Sequence, residues 1–145
     1  MKTFSKILSA GLIAVATGVS GQEAIVTNYS GSFEDATFAV ENAIVNQGLV
    51  IDYVSHVGEM LNRTGEDVGS DQMLFDEADI FIFCSAVVSR QVMEADPMNI
   101  VHCPYGVFVT QKDDAVMIGY RDYPDGPMQA VEDLLAGIVS DAVAN

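Results

Sequence analysis

The chain has 145 residues, half of them hydrophobic, with 21 acidic side chains against six basic ones and a formal charge of −15. A charge of that sign repels phosphate backbones and anionic headgroups, which argues against nucleic acid and charged lipid surfaces as partners. The length is that of one domain, large enough to fold without a metal or disulfide.

At the amino terminus Lys2 and Lys6 precede an apolar run from Ile7 to Val19, and small residues close it at Val19-Ser20-Gly21. That order of charge, apolar core and small-residue exit is a cleavable secretory signal. The run is shorter than the roughly 20 residues a membrane-spanning helix needs. Residues 1–21 are therefore expected to be removed on export to the periplasm, leaving 22–145 as a single domain with no remaining membrane segment. Cleavage leaves four basic residues against 21 acids, a formal charge of −17.

Ala24 to Tyr29 is a short β-branched run and reads as the first strand. Ser32 followed by Asp35 is a capping-box arrangement. Phe33, Ala36, Val40, Ala43 and Ile44 then recur at helical spacing until Gly48. Leu49 to Val57 reads as a second strand, and Gly58 to Gly65 as a short helical turn with Met60 and Leu61 inward. Glu66 to Asp79 gives no clear pattern. The continuous apolar run Ile80 to Phe83 reads as a central strand covered on both faces. Ser85 caps a helix over Ala86–Ala95, ended by Asp96-Pro97 because the residue before proline is pushed out of helical geometry. Val101–Thr110 and Ala115–Tyr120 read as a hairpin around Gln111–Asp114. Asp125-Gly126-Pro127 opens a last helix, with Met128, Val131, Leu134, Leu135, Ile138 and Ala142 as its apolar stripe. Hairpins mixed with helices give an α+β fold: a single antiparallel or mixed sheet with helices on one face.

Few residues carry chemistry. Cys84 and Cys103 are an even pair in an exported protein, which points to a disulfide closing a loop of about 20 residues. Beside them stand Ser85 and His102, and the four residues form the candidate ligand site. The pair lacks Cys-x-x-Cys spacing, so a thioredoxin-type motif is absent. His102 and Cys103, with Met98, form a weaker candidate for copper or zinc, because imidazole and sulfur suit such metals. Met60, Met117 and Met128 fall on core positions, so packing explains most of the methionines. The paired acids match no calcium-loop spacing and read as solvated surface. No nucleophile elbow or Gly-rich phosphate loop occurs, and only Lys112 remains as a lysine after cleavage. The reading leans away from an enzyme and calls for no cofactor.

Three stretches carry a resemblance: Phe83-Cys84-Ser85-Ala86, then Val92 to Pro97, then Asn99 to Val107 with Cys103-Pro104-Tyr105 at its centre. Together with Arg63-Thr64-Gly65 and the closing helix they make the chain similar to domain-of-unknown-function family 302 (DUF302). His102 stands where many members have proline or an apolar residue. The resemblance implies a β-α-β4-α order akin to half of a TATA-binding-protein fold, with the helix near 86–95 as an insertion. It also implies a homodimer as a possible state, and no assigned reaction. The combined reading is a non-catalytic periplasmic module that binds a small ligand or a partner protein. The alternative is a thiol redox or metal-handling protein using Cys84, Cys103 and His102.

Overall fold

The computed structural model describes residues 24–144, so the expected signal segment, residues 1–21, lies outside them. Local chemistry sets the first elements. Strand β1 (Ala24–Tyr29) runs into helix α1 (Phe33–Asn46), where the Ser32 hydroxyl accepts from the Asp35 amide and the Asp35 carboxylate accepts from the Ser32 amide. The helix stops at Gly48, whose φ of 76° is a left-handed conformation that glycine adopts without a Cβ penalty. Strand β2 (Ile51–Ser55) is shorter than its sequence pattern, because His56 already caps helix α2 (Val57–Thr64). Strand β3 spans Glu77–Phe83, helix α3 Ala86–Ala95, β4 Tyr105–Lys112, β5 Ala115–Arg121 and α4 Gln129–Ala144. Short 3₁₀ segments cover Glu66–Val68 and Pro97–His102.

The five strands form one sheet in the order β1-β5-β4-β3-β2, and every neighbouring pair is antiparallel. The sheet is therefore antiparallel throughout rather than mixed. β1 and β2 occupy opposite edges, and α1 carries the chain between them. Period-two alternation sends Phe81, Phe83, Tyr105, Val107, Val109, Val116, Ile118 and Tyr120 to one face, where all are buried. Val40 and Ile44 of α1, Val92 of α3, and Val131, Leu135 and Ile138 of α4 pack there with no exposure at all. At roughly 1.5–3 kcal/mol for each buried large aliphatic side chain, this layer dominates the stability.

The opposite face differs from the expected fully covered strand. Ile80, Ile82, Phe108 and Met117 are only half-buried, and Val26 and Tyr53 are exposed. Partial cover comes from within the sheet: the Phe108 ring lies over Gly119, where an added Cβ would sit 2.5 Å from the ring. β3 is also second from the edge rather than central.

Three further expectations need correction. Met60 is exposed and Leu61 half-buried, because the residue that α2 buries is Gly58, pressed against the β3 backbone. Val101–Pro104 is not strand: the 3₁₀ segment runs to His102, and β4 begins only after a cis Cys103–Pro104 bond. The β4–β5 turn is the two-residue Asp113-Asp114, with Asp113 at φ 52°, a conformation that aspartate tolerates better than most residues.

Gly58 gives the sharpest stability test of this fold. A Cβ there would stand 2.5 Å from the Ala78 backbone nitrogen, and backbone cannot rotate aside as a side chain can. Gly58→Ala is expected to lower unfolding free energy by about 1–3 kcal/mol, read as a shifted urea midpoint with unchanged slope; an unshifted midpoint would show that α2 is free to move off β3.

Candidate functional site

The β3–β4 ladder ends with Phe83 opposite Tyr105. Cys84 directly follows Phe83, and Cys103 stands two residues before Tyr105 with Pro104 between, so the two cysteines return to the same place although α3 and a 3₁₀ segment lie between them. Their sulfurs are 3.3 Å apart, and both are free thiols in this structure. Cys84 is exposed and Cys103 half-buried.

Ser85, read as a ligand residue, is buried and its Oγ accepts from the Val88 amide at 3.3 Å as the N-cap of α3. It holds the helix that follows the thiol. His102 is half-buried, and its ring meets Tyr123 edge-on at a centroid distance of 5.7 Å. Tyr123 in turn meets Tyr105 edge-on at 6.3 Å. The Ser89 hydroxyl donates to Tyr105 Oη at 3.1 Å and lies 4.0 Å from Cys103 Sγ. Ser89, Tyr105 and Tyr123 belong to this constellation and were missed in the sequence. A serine in mid-helix, a weak helix former that seeks a hydrogen bond, was the one available sign.

Burial pushes the Cys84 thiol up to about 11, helped by the thiol contact with Cys103, by charge on Cys103 and by Asp52, and opposed by a hydrogen bond from the Tyr105 backbone. Burial also raises Tyr105, against the Ser89 hydrogen bond, and raises Tyr123, against Arg121. A raised Cys84 thiol is the reverse of the ready thiolate an attacking cysteine needs.

The surroundings are shallow. A depression of about 450 Å³ lies on α3, lined by Ala86, Ser89, Arg90, Met93 and Glu94. Val87, Met98, Ile100 and Val101 flank the two thiols in sequence and are 78, 64, 54 and 63% exposed. A second cleft, of about 500 Å³, is lined by His56, Glu59, Asp76, Glu77 and Asp79, with His56 Nδ1 2.8 Å from Asp79 Oδ1. Burial and the charges of Glu34, Asp79 and Asp76 raise the Glu77 carboxyl. Among the described residues no group of three or more His, Cys, Asp or Glu is arranged to hold a metal, so the pairing of His102 with Cys103 gains no further ligand of those types. Met98 stays exposed beside them. Among the described residues no helix is long and apolar enough to cross a membrane.

The sequence profile of the family described as "Domain of unknown function DUF302" matches residues 25–144. No curated protein matches the chain. Among solved structures it is similar to the crystal structure of an uncharacterised conserved DUF302 protein from Bacillus stearothermophilus, at 16% identity and a TM-score of 0.67, covering 84% of this chain and 99% of that one. At that identity the likeness concerns the fold alone.

The thiol environment predicts a distinctive pH dependence. Alkylation of Cys84 in the reduced native protein, followed by peptide mass mapping, is expected to accelerate about tenfold per pH unit from about pH 7.5 to 9.5. A plateau near the ordinary thiol value of about 8.5 would show that neither burial nor Cys103 suppresses ionisation.

Proposed function

The chain belongs to the DUF302 family, and from that premise we propose that it is an exported, non-catalytic module whose thiol-bearing end binds a partner protein. The observation that carries this reading is the convergence of Cys84, Ser89, His102, Cys103 and Tyr105 beside a run of exposed apolar side chains. Its openness distinguishes between the two kinds of ligand considered. Small-molecule sites enclose most of their ligand's surface, whereas the depression on α3 is shallow and Val87, Met98, Ile100 and Val101, which flank the thiols in sequence, are exposed. That relief suits a protein surface better than a small ligand. The raised thiol and the absence of a gathered metal-ligand set among the described residues weigh against the redox-enzyme and metal-handling alternatives. Export to the periplasm rests on the charged and apolar segment at residues 1–21.

With α2 and α3 set aside as insertions, the element order is β-α-β4-α, which supports the likeness to half of a TATA-binding-protein fold. Fold likeness transfers no function, and a mature charge of −17 opposes a DNA role.

A homodimer is a second reading, and the open sheet face favours it. By alternation the strands of that face carry Val26, Tyr53, Ile80, Ile82, Phe108, Met117, Lys112 and Arg121, with the Asp76 carboxylate 3.8 Å from Lys112 Nζ and Asp52 at the bulge of the β2 edge. Two strongly acidic copies approach more readily through such a surface than through one lined with acids.

Site-specific photo-crosslinking in the native compartment separates these readings. A crosslinker at Ile100 is expected to give a discrete hetero-adduct that the same group at exposed Val45 on α1 does not; adducts that are absent, or equal at both positions, would sink the partner reading. Phe108→Glu is expected to convert a dimer to monomer in sedimentation without loss of fold, whereas wild-type protein already monomeric at high micromolar concentration would remove the dimer.

A further inference from the structure

Residues 84–103 leave the sheet at the end of β3 and re-enter it at the start of β4, so the two cysteines stand at the neck of a single excursion carrying α3 and the Pro97–His102 segment. Few contacts hold this excursion to the body. Val92 is its one fully buried side chain, Val88 and Met93 pack partly against the core, the Ser89 hydroxyl reaches Tyr105, and His102 rests on Tyr123. Other polar contacts are internal: the Asn99 side chain donates to the Val92 carbonyl, and Asp96 accepts from the Met98 amide. The Pro97–His102 segment contributes no buried residue.

We propose that Cys84 and Cys103 interconvert between dithiol and disulfide by exchange with an external disulfide, and that the bond ties down the neck of this excursion. The sulfurs, now 3.3 Å apart, need to approach by only about 1.2 Å to reach a bonding distance of about 2.05 Å. Cys84 is the exposed member and meets the external disulfide first. Its thiolate attacks one sulfur of R–S–S–R, forming a mixed disulfide and releasing one R–SH. The Cys103 thiolate then attacks Cys84 Sγ and expels the second R–SH. Two protein thiols are oxidised, one external disulfide is reduced, and the two thiol protons end on the two R–SH products. The external reactant is either a low-molecular-weight disulfide or a disulfide-bearing protein.

Closure removes the Cys103 thiol as a partner for Ser89 and so acts on the Ser89–Tyr105 hydrogen bond. Its effect on the protein-binding surface rests on the partner-binding reading above, because Ile100 and Val101 directly precede the neck. The bond itself does not depend on that reading. The suppressed ionisation of Cys84 makes the exchange slow at neutral pH, as suits a clasp that is set and kept rather than a turnover catalyst.

The test uses the full exported protein without any partner, so that failure of the clasp and failure of partner binding remain distinguishable. Reduced protein is treated with oxidised glutathione and followed by intact mass, by amide hydrogen exchange over 86–102, and by tyrosine fluorescence, which tryptophan does not obscure because the chain has none. Wild type is expected to end as the internal disulfide with no retained glutathione, and Cys103→Ser to hold one glutathione on Cys84. Exchange over 97–102 is expected to slow about tenfold or more on closure while α4 is unchanged, and dithiothreitol to reverse all three readouts. Persistent free thiols in excess oxidised glutathione, a stable adduct on wild type, or closure that leaves the excursion's exchange unaltered would each overturn the proposal.

Discussion

The pairing of Phe83 with Tyr105 across the β3–β4 ladder is the constraint on which the rest depends. Both side chains are buried against the helical layer, Tyr105 at 1% and Phe83 at 0% exposure. A slip of one residue would turn one of the two facing sets toward solvent, because side chains alternate across a strand. The burial of Phe81, Phe83, Tyr105 and Val107 thus locks the register, and the register brings the chain back at Pro104 opposite Cys84, one residue from Cys103. The meeting of the sulfurs is in this sense a by-product of hydrophobic packing. It needs no attraction between the cysteines themselves.

The same logic explains what could be read from the chain and what could not. β1, α1 and α3 were legible because their signals are local: a β-branched run, the Ser32–Asp35 box, and Ser85 before with Asp96-Pro97 after. The end of β2 was not, since Ser55-His56-Val57 continues an alternating pattern while the chain has already turned to seat Gly58 on Ala78. The start of β4 failed for a similar reason. Val101 and His102 look like strand residues, but the Asp96 cap and the proline at the start of the 3₁₀ segment had already committed the backbone to a tight turn. At the candidate site, residue type alone singles out Cys84, Cys103 and His102, and Ser85 is legible from its place before the helix as the cap it makes. Ser89 and Tyr123 join the constellation only through contacts spanning 14 residues or more, or through ring packing, which no local pattern encodes.

Charge divides the surface as sharply as hydrophobicity divides the interior. Asp76, Glu77 and Asp79 crowd one end of β3, and burial together with the charges of Glu34, Asp79 and Asp76 raises Glu77. The open sheet face carries Lys112 and Arg121, two of the four basic residues beyond residue 21, and Asp76 reaches it at Lys112 Nζ, 3.8 Å away. A chain this acidic resists association wherever its carboxylates stand, and leaves contact possible where they do not. The scarcity of acids on a half-buried sheet face is therefore a statement about where another surface can lie, made before any particular partner is considered.

The thiol end differs from that face in the kind of order it has. The sheet face is backed by the helical layer, whereas residues 84–103 are held by Val92, the partly buried Val88, Met93 and Cys103, and a few polar contacts. Segments with few buried anchors open at a fraction of the global unfolding cost, and binding surfaces are commonly drawn from them. A covalent tie at the neck would change that local cost without touching the core, since Phe83 and Tyr105 are already paired on either side of it. The position of the cysteines, at the neck and not within the excursion, is what allows the thiol state to act on the excursion alone.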